Sequence, residues 1–94
     1  MPPRKLIWFE EATDDVVALL DRRDDKESVL RCVESNLLAV ASDPEASKQI
    51  ASPLHERVYR FQCMDGDTIL YLLAVFAYTP NGEIALLRVT TQAL

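Results

Sequence analysis

Arg57-Val-Tyr-Arg-Phe-Gln-Cys63, Met64-Asp-Gly-Asp67, Thr68-Ile-Leu-Tyr-Leu-Leu-Ala-Val-Phe-Ala-Tyr78, Thr79-Pro-Asn-Gly82 and Glu83-Ile-Ala-Leu-Leu-Arg-Val-Thr90 run consecutively through the last third of the chain. The first, third and fifth segments are rich in β-branched, aromatic and aliphatic residues, as strands are. The second and fourth carry Asp65-Gly66 and Asn81-Gly82, pairs that accept the positive φ angles of tight hairpin turns. The stretch therefore predicts an antiparallel meander of three strands. In the first of them Tyr59, Phe61 and Cys63 point to one side and Val58, Arg60 and Gln62 to the other, and the aromatic set is expected to face the core. The apolar run 69–78 is expected to be buried on both faces.

Upstream, the pattern changes to helical spacing. Residues 5–9, Lys-Leu-Ile-Trp-Phe, form a short apolar strand. Thr13-Asp14-Asp15 then reads as a helix start, with Val16, Val17 and Leu20 on one face and Arg22-Arg23 closing the last turn. The acidic group Glu10, Glu11, Asp14 and Asp15 is explained by that helix start and its dipole. Asp24 and Glu27 stand at capping-box spacing, and Val29, Val33, Leu37 and Val40 recur at the period of a second helix that ends near Ser42. Asp43-Pro44 stops it, and 45–51 is expected to add one more helical turn. Together these elements predict an α+β domain. Its expected form is a four-stranded, mainly antiparallel sheet with two helices packed on one face, in the order β-α-α-β-β-β.

Ninety-four residues with 49% hydrophobic content suit one domain, 1–94, with a single core. A net charge of −5 and a pI near 4.7 argue against a surface that binds nucleic acid mainly by neutralising phosphates. The longest apolar run, ten residues, falls well short of the roughly 18 to 20 a membrane helix needs. With no signal-peptide core after Arg4-Lys5, the expected location is the cytoplasm. Cys32 and Cys63 have no C-x-x-C spacing and are expected to be two buried thiols. One His and two separated Cys supply no metal ligand set, and both glycines are committed to turns, which leaves none for a phosphate-cradling loop. No cofactor is expected.

The order of elements, with Trp8-Phe-Glu-Glu-Ala12 leading into Asp15-Val-Val-Ala-Leu-Leu20, resembles the RelE/ParE family of bacterial toxin–antitoxin modules. Leu54-His-Glu-Arg-Val-Tyr-Arg-Phe61 looks like the family's Leu-x-x-x-x-Tyr-Arg-x strand, and Gly66-Asp-Thr-Ile-Leu-Tyr71 like its Gly-x-Arg-x-x-Tyr segment. Ile84-Ala-Leu-Leu-Arg-Val-Thr90 is similar to its last core strand. The resemblance implies a growth-inhibiting toxin that acts on ribosome-bound messenger RNA or on DNA gyrase and is neutralised by an antitoxin protein. In the RNA-cleaving members, it further implies, basic residues on the exposed sheet face stabilise the charge that builds on phosphate oxygens.

Carried over residue by residue, Arg60 falls where a catalytic Lys commonly lies. Gln62 replaces the next basic position, Thr68 stands where the meander's Arg is expected, and Gln92 takes the approximate place of another Arg. An endoribonuclease would then rest on Arg60, Arg57 and Arg88, with His55 for proton transfer. The bland readings are that the arginines are cross-strand residues paired with Glu56, Glu83 or Asp67, and that His55 is a surface residue at a loop-to-strand junction. A different class of function follows from the missing basic positions: a non-catalytic interaction module, or a homodimer, that has kept the fold.

Overall fold

The computed structural model describes residues 5–21, 25–43, 48–49, 56–65 and 68–91. Its elements are β1 (Leu6–Trp8), α1 (Glu10–Leu20), α2 (Lys26–Ser42), β2 (Lys48–Gln49), β3 (Arg57–Asp65), β4 (Thr68–Tyr78) and β5 (Ile84–Thr91). The strands form one sheet in the order β1-β5-β4-β3-β2. The meander β3-β4-β5 is antiparallel, whereas β1 lies parallel to β5, with Leu6 beside Ile84 and Trp8 beside Leu86. The α+β class and the two helices agree with expectation. The fifth strand does not: Lys48–Gln49 pairs antiparallel with β3 where a helical turn was expected. Pairing with the free edge of β3 outweighs the local helical preference of so short a segment. The remainder of that expected turn, like Arg22-Arg23, lies outside the described residues.

Both helices lie on one face of the sheet. Phe61 and Cys63 of β3, Leu72 and Ala74 of β4, and Leu86 and Val89 of β5 pack there with Ala12 and Val16 of α1 and Val29, Val33 and Leu37 of α2. A continuation of this core joins Val40 and Ala41 to Phe76 and Ile84. Each fully buried side chain of this size stabilises the fold by about 1.5–3 kcal/mol relative to exposure, so the helix-facing layer dominates the energetics. The spacing of Val29, Val33, Leu37 and Val40 put all four on the buried side of α2, as expected.

Helix α1 begins three residues before Thr13, at Glu10, because β1 feeds straight into it. The Phe9 amide still donates to Leu86 O in the sheet while the Phe9 carbonyl accepts from Thr13 N at 3.1 Å. This rotates the buried face, so that Ala12 and Val16 point inward and Val17 is 60% exposed.

The turn 79–82 closes with the Gly82 amide donating to Thr79 O at 2.9 Å, and Gly82 adopts φ 77°. Glu83 N donates to Thr79 Oγ1 at 3.1 Å and fixes the start of β5. At the other hairpin Asp65 pairs with Thr68, and Gly66 lies outside the described residues.

The expectation of two separate thiols is overturned, for Cys32 of α2 and Cys63 of β3 are joined by a disulfide with a Cα–Cα separation of 5.9 Å. Helix α2 crosses directly over β3, which brings together two residues 31 positions apart. Among the described residues no helix is long and apolar enough to cross a membrane.

Candidate functional site

Among the described residues both helices lie on one face of the sheet, and no described element packs on the other. By the alternation of strand side chains, it carries Val58, Arg60, Gln62 and Met64 from β3 and Ile69, Tyr71, Leu73, Val75 and Ala77 from β4. Met64 is 59% and Ile69 40% exposed, and Tyr71, Leu73, Val75 and Ala77 are half-buried. The expectation that 69–78 is covered on both sides, and that Tyr71 is core, is thereby corrected. Two helices cover only one face of this sheet, so an unbroken apolar run coexists with an open apolar surface. Trp8, at the end of β1, is 37% exposed.

The three arginines singled out from the sequence occupy different surroundings. Arg60 is exposed on the open face, opposite Leu73 across the β3–β4 pair and diagonal to Tyr71. Arg57 lies opposite Phe76, whose side is the helix-covered one, and it is half-buried and engaged with other groups. Arg88 reaches α1. Its Nε and Nη2 donate to the two carboxylate oxygens of Asp15 at 2.7 and 2.8 Å. His55, Asp67, the Gln92 position and the loop before β3 lie outside the described residues. Of the carboxylates expected to pair with arginines, Glu83 instead faces Lys5 at 3.8 Å.

The Asp15–Arg88 pair depends on a β-bulge. Val75 opposes Arg88 but Phe76 opposes Leu86, so Leu87 is the extra residue. That extra residue restores the phase needed to bury both Leu86 and Val89 beneath α1. Just past the end of β1, the Val89 amide has no strand partner on that edge and donates to Asp15 Oδ2 at 2.9 Å. The Asp15 carboxylate thus completes the edge of β5. Its hydrogen bonds to Arg88 hold its pKa below the ordinary carboxylate value, with burial opposing and the Val89 amide adding to the effect. Arg88 is held above its own ordinary value by the same hydrogen bond. A guanidinium fixed in a bidentate fork has its donors directed at Asp15, not at a phosphate.

Two further concavities flank the helices. One of about 370 Å³ lies beside Asp15, lined by Ala18, Leu19, Leu72, Val89, Thr90 and Thr91. The other, about 500 Å³, runs between β1 and α2 and is lined mainly by Leu6, Trp8, Leu37, Leu38 and Ala41, with Arg31 and Glu34 at its rim. In the first the Asp15 carboxylate is committed to Arg88 and the Val89 amide, and among the described residues no three His, Cys, Asp or Glu side chains form a metal-binding group. The sequence reading missed the role of Asp15, because its partner stands 73 positions away and the bulge leaves no local signature.

Comparison of the chain with protein-family models, with curated proteins and with solved structures yields no match.

Proposed function

We propose that this chain is a protein-interaction module, a diverged relative of the RelE/ParE-type toxins that binds through its open sheet face and does not cleave RNA. The observation that carries the reading is the character of that face. Phosphoryl-transfer catalysis needs several cations aimed at one phosphate. Here Arg60 is surrounded by Leu73, Tyr71, Val58 and Gln62, while Arg57 occupies the other side of the strand and Arg88 is committed to Asp15. The described apolar side chains of this face, Val58, Met64, Ile69, Tyr71, Leu73, Val75 and Ala77, have the composition of a protein interface core.

A toxin acting on messenger RNA or gyrase and neutralised by an antitoxin is the second reading. It is favoured by the exposure of Arg60 beside Tyr71 and by the apolar groove along β1, which among the described residues is an edge strand, the kind that takes an added strand. Induced expression of wild-type and Arg60→Ala chains in a bacterial host, together with incubation of the purified chain with message-programmed ribosomes, separates the two. The interaction module predicts normal growth and intact message. Cleavage abolished by Arg60→Ala would establish the ribonuclease instead, and growth arrest with intact message would favour a gyrase-like target.

A further inference from the structure

We propose that Cys32 and Cys63 form a reversible thiol–disulfide switch that reacts with low-molecular-weight disulfides, Cys32 as the sulfur that meets the reagent and Cys63 as the sulfur that resolves the adduct. The two are the only cysteines of the chain, and they meet where α2 lies over β3. Their surroundings differ. Cys63 is 1% exposed within the core, whereas Cys32 is half-buried at the border of the apolar stripe of α2, between buried Val29 and Val33 and exposed Ser28, Arg31 and Ser35. A reagent in solvent therefore reaches one sulfur and not the other. An accessible cysteine poised beside a resolving one is the arrangement of redox-responsive pairs.

The polar groups around Cys32 suit the open form as well as the closed one. Its Sγ lies 3.3 Å from the Gln62 carbonyl oxygen. A sulfur in a disulfide has no proton for that oxygen, and a thiol in the same place does. Asn36 Nδ2, which donates to Cys32 O at 2.8 Å, is 3.5 Å from the same sulfur, and its N–H favours the thiolate, the form that attacks. Val29, Val33 and Phe61 pack around the bond in one core cluster, so α2 stays on β3 when the bond opens. The dithiol chain thus keeps its fold, and the bond acts as a latch between helix and strand.

In the oxidising direction the Cys32 thiolate attacks one sulfur of a small disulfide RSSR, so that Cys32–S–S–R forms and RS⁻ leaves. Cys63 then attacks Cys32 Sγ, the protein bond forms and the second RS⁻ leaves. The two cysteine protons end on the two RS⁻ groups, so two protein thiols are oxidised and one RSSR is reduced to two RSH. With the Cα atoms 5.9 Å apart, the second step lies within reach without movement of the backbone. In reverse, RS⁻ attacks Cys32, Cys63 leaves and takes up a proton in the core, and a second RS⁻ removes the small group as RSSR. A bond with one exposed sulfur belongs to the labile class, whereas an enclosed structural disulfide resists the glutathione pool.

The test uses the purified full chain with reduced and oxidised glutathione under native conditions, followed by acid quench, peptide mass mapping and circular dichroism. Wild type, once reduced, is expected to keep its circular dichroism, to regain the bond with oxidised glutathione, and to lose it again as the share of reduced glutathione rises. Cys63→Ala should accumulate one glutathionyl group on Cys32. Cys32→Ala should take up glutathione on Cys63 at least about tenfold more slowly, a difference that vanishes in urea. Should either variant misfold, brief alkylation of reduced wild type decides the order, with Cys32 labelled before Cys63. A bond that stays closed at every glutathione ratio, a reduced chain that loses its circular dichroism, or equal labelling of the two thiols in the native chain overturns the proposal.

Discussion

The carboxylate of Asp15 on α1 and the guanidinium of Arg88 on β5 meet in a bidentate pair, and the same carboxylate accepts the Val89 amide. One side chain thus ties the first helix to the last strand where β1 ends and the sheet edge would otherwise lack an acceptor. Asp15 is mostly shielded from water and Arg88 about half exposed, so the bond to the amide matters more for stability than the exposed part of the ion pair. Asp15→Ala is expected to cost about 1–2 kcal/mol at neutral pH, chiefly from the Val89 donor left without a partner. Urea denaturation midpoints compared with wild type measure it.

The same pair fixes a pH dependence. Because Arg88 holds the folded-state pKa of Asp15 below 3.8, its ordinary value, folding favours the ionised carboxylate. The stabilisation is therefore complete above the ordinary value and is lost as pH falls through the lower folded value. The gap in stability between wild type and Asp15→Ala should be constant from neutral pH to about 5 and shrink on further acidification. A gap that keeps its size in acid would show that the ionised carboxylate is not what stabilises the fold.

The Cys32–Cys63 bond closes a loop that contains β2 and the approach to β3. With the two residues 31 apart, the loop-entropy argument gives up to about 3–4 kcal/mol of stabilisation through the unfolded state. A Cys32→Ala/Cys63→Ala chain, or wild type under reductant, should unfold at correspondingly lower denaturant. Two titratable thiols in the denatured, unreduced protein would count against the bond.

The helix faces separate what the sequence discloses from what it hides. Period alone identified Val29, Val33, Leu37 and Val40, since α2 packs on the sheet along an apolar stripe that is set by local spacing. Period misassigned Val17, because the start of α1 is dictated by the sheet bond from Phe9 to Leu86, a contact between distant residues. The contrast is measurable. Leu37→Ala should cost about 2–5 kcal/mol and Val17→Ala less than about 0.5, read from thermal or denaturant unfolding. A large loss at Val17 would return that residue to the buried face.

The site was less legible than the fold for the same reason. Strand alternation placed Arg60 away from the core and Phe61 in it, but nothing in the run 69–78 tells whether one face or two will be covered. That depends on where the helices pack, and the two among the described residues lie together on one side. Arg88 looked like a cation available to a ligand, and only the bulge at Leu87 and the distant Asp15 make it structural.

Gly82 offers a last test of local sequence logic. Its φ of 77° lies in the region where a Cβ clashes with the neighbouring backbone, and its amide closes the turn onto Thr79 O. The glycine is required for its conformation, not for lack of room, so Gly82→Ala is expected to destabilise the protein by about 1–2 kcal/mol. Gly82→Asn should cost less, because asparagine tolerates the left-handed region better than other side-chain-bearing residues. Thermal unfolding of the two variants checks the order. If alanine and asparagine were equally disruptive, the turn would be limited by space around position 82 and not by its backbone angle.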